Sequence, residues 1–188
     1  MWWREGLPRL WRGARWAVVF AIAGLAAGCF QPLYGDHTLT GEPSLKNALR
    51  GVDEQQITAP NGTELSRIAV AVRNDLLFET TGGEAPPPPT HRLKITLTSQ
   101  SLSVIVDIGT NRPDVQNFGL NAKYELVEIK TGKVVVNDQT FSRVSYDVPG
   151  EEQRFASQRA LRDAENRAAE VLATSIRARL ASYFIAGT

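Results

Sequence analysis

From His91 to Tyr146 the apolar residues fall mostly on every second position, and a run that long on a period of two argues for sheet. Leu93, Ile95 and Leu97 alternate with Arg92, Lys94 and Thr96. Leu102, Val104, Val106 and Ile108 then continue on the opposite parity, which calls for a bulge or bend near Ser99–Ser101. Gly109-Thr110-Asn111-Arg112-Pro113 carries turn chemistry. Phe118, Leu120, Ala122, Tyr124 and Leu126 form one face of a second strand, and Lys130-Thr131-Gly132-Lys133 reads as a tight hairpin turn. Val134, Val136, Thr140, Ser142, Val144 and Tyr146 belong to a third strand, with Phe141 on its other face. Three strands of about ten residues or more, joined by turns, predict an antiparallel meander.

Stretches of helical period flank this sheet. Asn61-Gly62-Thr63-Glu64 offers a turn and a cap, after which Leu65, Ile68, Ala69, Val72 and Leu76 share one face, so a helix is predicted over 63–79. Thr80 to Thr90 holds four prolines in a row and is expected to be a loop, because proline continues neither a helix nor a central strand. After Pro149-Gly150, Glu151 and Glu152 suit the positive end of a helix. Leu161, Ala164, Ala168, Val171 and Leu172 lie within an arc of about 100° at the helical 100° per residue, and 152–184 reads as one long helix. Its arginines interleave with acids at 163, 165 and 170, the pattern of a solvated face. Residues 49–58 suggest a short edge strand, and 30–48 a tether in which Leu33 and Tyr34 dock on the domain. The order β-α-β-β-β-α predicts an α+β fold: two helices on one face of a four-stranded, mostly antiparallel sheet, in a two-layer sandwich. The other face of the sheet is left for water or a partner.

The first 28 residues have a different character. Arg4, Arg9, Arg12 and Arg15 precede an uncharged run from Trp16 to Ala27. A span needs roughly 20 apolar residues, so this run is too short to cross a bilayer and fits the apolar region of a secretory signal. It ends in Ala26-Ala27-Gly28 before Cys29, the single cysteine of the chain. Small residues before a cysteine resemble the bacterial lipobox, in which the chain is cut before a diacylated cysteine and the new amino group is acylated. Ala26 stands where that pattern prefers Leu, with Leu25 one residue further out. Acylation accounts for one exported thiol, which would otherwise invite mispairing, and two or three acyl chains anchor a protein firmly. The expected division is therefore a lipoprotein signal peptide at 1–28, an acylated Cys29 and tether at 29–48, and one α+β domain at 49–188. Phe30 rather than Asp after the cysteine favours the outer membrane, by resemblance to enterobacterial sorting.

Removal of 1–28 takes away four arginines, Glu5 and all four tryptophans, which leaves 17 basic and 19 acidic residues and a net charge near −2. No basic block remains, which argues against nucleic acid as a partner. The chemistry of catalysis is also missing. His37 and His91 are the only histidines and have no acid or thiol at metal-ligand spacing, and His91 is read as a loop residue. There is no Gly-x-Ser-x-Gly elbow and no phosphate-cradling glycine loop. The pairs Asp53-Glu54 and Glu151-Glu152 read as edge and helix-start charges. An enzyme, a metal site and a cofactor other than the lipid on Cys29 are not expected.

Three features resemble the LPS-assembly lipoprotein family LptE. They are the start Cys29-Phe30-Gln31-Pro32-Leu33-Tyr34-Gly35, the helix opening Asn61-Gly62-Thr63-Glu64-Leu65-Ser66 continued by Val72-Arg73-Asn74-Asp75-Leu76, and the element order ending in a long helix. The resemblance implies a plug in the lumen of the outer-membrane barrel LptD that helps the barrel assemble and assists lipopolysaccharide on its way to the outer leaflet. Thr96, Thr98, Gln100 and Asn121 give a polar outer sheet face suited to a wet barrel interior. Lipopolysaccharide phosphates need cations, and the candidates near strand ends are Arg112, Arg143, Lys130 and Lys133. A further family lysine is replaced near Thr140. An alternative from another class is an auxiliary periplasmic lipoprotein of an ABC-type lipid transport system, and a third is a structural lipoprotein with no lipopolysaccharide role.

Overall fold

The computed structural model describes residues 44–107, 112–148 and 154–187. Among them the chain forms α1 (Leu45–Arg50), β1 (Val52–Glu54), α2 (Glu64–Thr81), β2 (His91–Asp107), β3 (Arg112–Glu128), β4 (Val134–Asp147) and α3 (Arg154–Ala186). The sheet order is β1-β2-β3-β4, with β1 parallel to β2 and the other pairs antiparallel. The fold is the expected α+β two-layer sandwich, with one short helix added ahead of β1.

Local chemistry sets the helix ends. The Thr63 hydroxyl accepts from the Ser66 N–H at 3.2 Å, which caps α2 where the turn signal placed it. Gly82 closes α2 in the left-handed region at φ 64°, donating to the Phe78 carbonyl at 2.8 Å, a geometry that costs glycine little. The Lys130–Lys133 hairpin turns through Gly132 at φ 69°.

The core lies between the helices and one parity of the strands. Leu93, Leu120, Ala122 and Leu126 meet Val72 and Leu76 of α2 and Leu172, Ile176 and Leu180 of α3 in one cluster, all fully buried. Ala164, Ala168, Ala169 and Ala173 are also sealed, and their small side chains let the α3 backbone lie close to its neighbours.

Several expectations are corrected. Residues 45–48 are helical rather than tether: the Ser44 hydroxyl accepts from the Asn47 N–H at 3.3 Å, and Leu45 and Leu49 enter the core. The edge strand expected over 49–58 shrinks to the three residues of β1, with one more bond from the Gln55 N–H to the Leu93 carbonyl. The irregularity in β2 falls between Ser103 and Val106, later than Ser99–Ser101, which stay in register with Leu120 and Phe118. His91 is not in a loop. It opens β2, half-buried, with its ring 5.1 Å from Phe184 and edge-on to it. Val171 is 50% exposed and Glu165 only 1%, so the buried face of α3 is rotated away from the valine and towards the acid. Everything before Ser44, the Gly109–Asn111 part of the turn, Pro149-Gly150 and the acids at 151 and 152 lie outside the described residues.

This rotation gives a direct stability contrast. Leu172→Ala should cost about 2–5 kcal/mol, whereas Val171→Ala should stay within about 0.5 kcal/mol. Urea unfolding of the two neighbours checks it, and equal costs would contradict the helix orientation.

Candidate functional site

Strand register turns the outward parity of the sheet into rows. Lys94, Glu125 and Asn137 form one; Thr96, Lys123 and Gln139 the next; then Thr98, Asn121 and Phe141; then Gln100, Gly119 and Arg143; then Leu102, Asn117 and Ser145. Rows follow each other every two residues, about 6.8 Å apart. No described element covers this face, and all its members are exposed except Gly119, which is buried, and Asn117, which is half-buried. A Cβ at Gly119 would come within 3.2 Å of the Gln100 Cγ, so the glycine is where the Gln100 side chain crosses the sheet. The third to fifth rows carry the two large apolar residues of the face, Phe141 at 63% exposure and Leu102 at 56%. The Arg143 guanidinium lies 5.4 Å from the Phe141 ring centroid, within cation–π range. Thr96, Thr98, Gln100 and Asn121 are thus exposed on the outer face, as read from the alternation.

The four candidate cations do not converge. Lys130 and Lys133 are exposed on the β3–β4 hairpin. Arg143 lies ten residues from Lys133 along the chain, roughly 30 Å away on extended strand. Arg112 opens β3 opposite Asp107, seven residues from the Gly119 that pairs with Arg143, or about 24 Å; its side chain lies outside the described residues, as does Cys29. Arg143 alone joins the outer rows.

Buried charge is the feature that sequence reasoning missed. Glu165 is sealed beneath α2, with one carboxylate oxygen on Arg67. Glu64 lies beside it, and burial, followed by the hydrogen bond with Glu165, raises the Glu64 pKa. Tyr146 donates to Gln116 Oε1 at 2.6 Å and is raised chiefly by burial. At the other end of α2, Glu54 is 4% exposed and its Oε1 lies 2.7 Å from the Thr80 hydroxyl. That one hydroxyl proton also faces the Leu76 carbonyl at 2.9 Å and the Leu77 carbonyl at 3.2 Å. Thr80 can donate to only one of these three acceptors at a time, so the buried Glu54 carboxyl is short of donors. Burial pushes the Glu54 pKa above its ordinary 4.5, in the same sense. Burial likewise pushes the Tyr124 phenol up to about 12. Asp138 is held low, first by the Gln139 N–H and then by Arg179 at 3.0 Å. The signal that could have marked Glu165 is its place between Ala164 and Ala168 on the small-residue stripe; Glu54 gave none beyond following Val52 at the spacing of a strand face.

Among the described residues no group of three or more His, Cys, Asp and Glu side chains could hold a metal ion, and no helix is long and apolar enough to cross a membrane.

The fold has solved counterparts. A Caulobacter crescentus protein assigned as a lipoprotein matches with a TM-score of 0.57 at 18% identity, over 76% of this chain and 96% of its own. Rare lipoprotein B from Shewanella oneidensis matches with a TM-score of 0.50 at 12% identity, over 71% of this chain and 94% of its own. The chain therefore shares its fold with bacterial lipoproteins. No family model matches the sequence, and no curated protein matches it.

Glu54→Gln keeps the shape and lets an amide donate to Thr80. A carboxyl whose pKa is raised on folding contributes stability that is present in full below its unfolded value and lost as pH rises through the folded one. The variant should therefore melt above the native protein at pH 7.5, with the gain gone below about pH 4.5, the ordinary value for this side chain. Thermal melts across that range check the sign, and a lower melting temperature at pH 7.5 would show that the fold needs the carboxylate.

Proposed function

We propose that this chain is an outer-membrane lipoprotein, anchored through acylated Cys29, that occupies the lumen of the LptD barrel, helps it assemble and assists lipopolysaccharide into the outer leaflet. The observation that carries this reading is the uncovered outer face. The described helices stand against the opposite side of the sheet, and the rows that remain are amides, hydroxyls and scattered charges. A barrel lumen is polar and wet, so a plug needs a surface that hydrogen-bonds without a large apolar patch. Phe141 and Leu102 are isolated apolar points in such a surface, the kind of residue that anchors an otherwise polar interface. The leader and Gln31–Gly35 start supply the anchor and the family likeness, and two proteins of the same fold carry the lipoprotein name. Arg143, with Arg112 towards the same end of the sheet, is the pair assigned to lipopolysaccharide phosphates.

The test is affinity purification of the tagged full-length protein from its own membranes. A 1:1 complex with an outer-membrane barrel is expected, and Phe141→Glu with Arg143→Glu should reduce its recovery about tenfold or more, as loss of a central anchor does. Both side chains are exposed, so the melting temperature should hold. Co-purification of an inner-membrane ABC transporter would overturn the barrel reading in favour of the adaptor. Lipopolysaccharide binding unchanged by charge reversal at both Arg112 and Arg143 would remove the phosphate assignment.

A further inference from the structure

The crossover from β1 to α2 does not lie flat on the helix. It stands off to leave an open cleft of about 750 Å³ lined by Gln56–Asn61 on one side and Ser66, Arg67, Ala69, Val70 and Arg73 on the other. Small-molecule sites run from roughly 300 to 1,000 Å³, so the size suits a single organic ligand. Ser66, Ala69, Val70 and Arg73 follow the three-four spacing of one helix face, which is why they share a wall.

The charge of the lining is one-sided. It holds Arg67 and Arg73 and no acid. Of the carboxylates around these arginines, Glu165 and Glu54 are both buried and engaged inward, Glu165 on Arg67 and Glu54 on Thr80, while Glu64 bears on Arg67 from outside the lining. Arg67 is anchored by that buried acid but keeps 42% of its side chain exposed. Arg73 donates through Nε to the Glu54 carbonyl at 3.2 Å, a bond that fixes the guanidinium at the cleft wall, and its side chain also borders a second, smaller cleft that holds Asp53 and Glu54. A guanidinium held by its Nε is pre-organised for a two-point contact with phosphate oxygens. Asn61, Ser66 and Thr58 add neutral polar groups, and Ile57, Ala59, Pro60 and Val70 supply an apolar side.

We propose that this cleft binds an organic phosphate: Arg73 and Arg67 take the phosphate oxygens, and the apolar side takes the attached carbon portion. The site stands on its own residues, away from the outer sheet face, and does not rest on the barrel reading.

Calorimetric titration of the full-length protein in detergent with phenyl phosphate tests it. Arg73→Gln should weaken binding about tenfold or more, the loss expected for one charge-assisted pair of contacts. Val70→Glu, which adds a negative charge at a 58% exposed cleft position without touching the core, should do the same. Lys46→Gln, which removes an exposed cation paired with Glu84 outside the cleft lining, should bind as the native protein does. Competition then identifies the source. Displacement by vesicles containing phosphatidate, but not by phosphatidylcholine alone, assigns the phosphate to a lipid headgroup, and displacement by a soluble hexose phosphate assigns it to a free ester. No binding of phenyl phosphate at millimolar concentration overturns the proposal, and so does binding that both Arg73→Gln and Val70→Glu leave unchanged in folded protein.

Discussion

A sheet can be sealed only as far as its helices reach, and that mismatch of lengths organises this domain. Strand β2 has 17 residues and spans about 56 Å, at about 3.3 Å per residue. Helix α3, with 33 residues at 1.5 Å each, is about 50 Å long and nearly matches it, whereas α2 with 18 residues covers about 27 Å. Twenty-seven ångströms of strand is about eight residues. Counted from His91, the cover should end near Thr98, and the inward parity of β2 changes there: Leu93, Ile95 and Leu97 are buried, while Ser99 and Ser101 are exposed. The serines are the sequence's answer to missing helix.

Polar links then set how the layers sit. Packed alanines and leucines tolerate sliding, but a buried acid must meet its partner. Arg67 and Glu165 lock α2 to α3 near one end, and Glu79 accepts from Thr174 at 2.6 Å and lies 3.7 Å from Arg177 near the other. Two fixed points along α2 leave little freedom of register between the helices. Glu54 ties β1 to the last turn of α2 through Thr80 in the same way. A buried pair of this kind is weak as a source of stability but specific in position.

The sequence carried the regular parts plainly because period is a local property. Three long alternating runs, a capped helix and a long final helix could be read without knowing what packs on what. What could not be read depended on partners far along the chain. Glu165 looked solvated because acids usually are, and nothing within four residues of it announces Arg67, 98 positions away. Val171 looked buried because its angle on the wheel fits, but the face is centred by the sheet rather than by the wheel. α1 was hidden because six residues with two leucines give no periodic signal, and only the Ser44 cap could have marked it. The outer rows were half legible: alternation says which residues point away from the core, but register decides that Phe141 stands beside Asn121 and Arg143 beside Gly119.

That last distinction bears on what kind of site this chain can have. The candidate cations do not converge on the outer face, so specificity there has to come from arrangement. An outer face built from rows about 6.8 Å apart presents donors and acceptors on a fixed lattice, and only a partner with a matching spacing can satisfy many of them at once. Single substitutions in such a lattice each lose little, because water replaces an exposed amide at small cost. The two apolar points and the arginine beside them are different, since their value depends on a partner that excludes water. Phe141 is therefore held outside at 63% exposure against the pull of its own core, on a strand where one step of register would bury it and turn Ser142 outwards. The hydrophobic pattern of β4 alone is too weak to resist that step, with Val136, Val144 and Tyr146 its apolar residues on the inward parity and Val135 packed beside them. The pairing with the strongly patterned β3 fixes β4, so the exposed surface inherits its precision from the buried one.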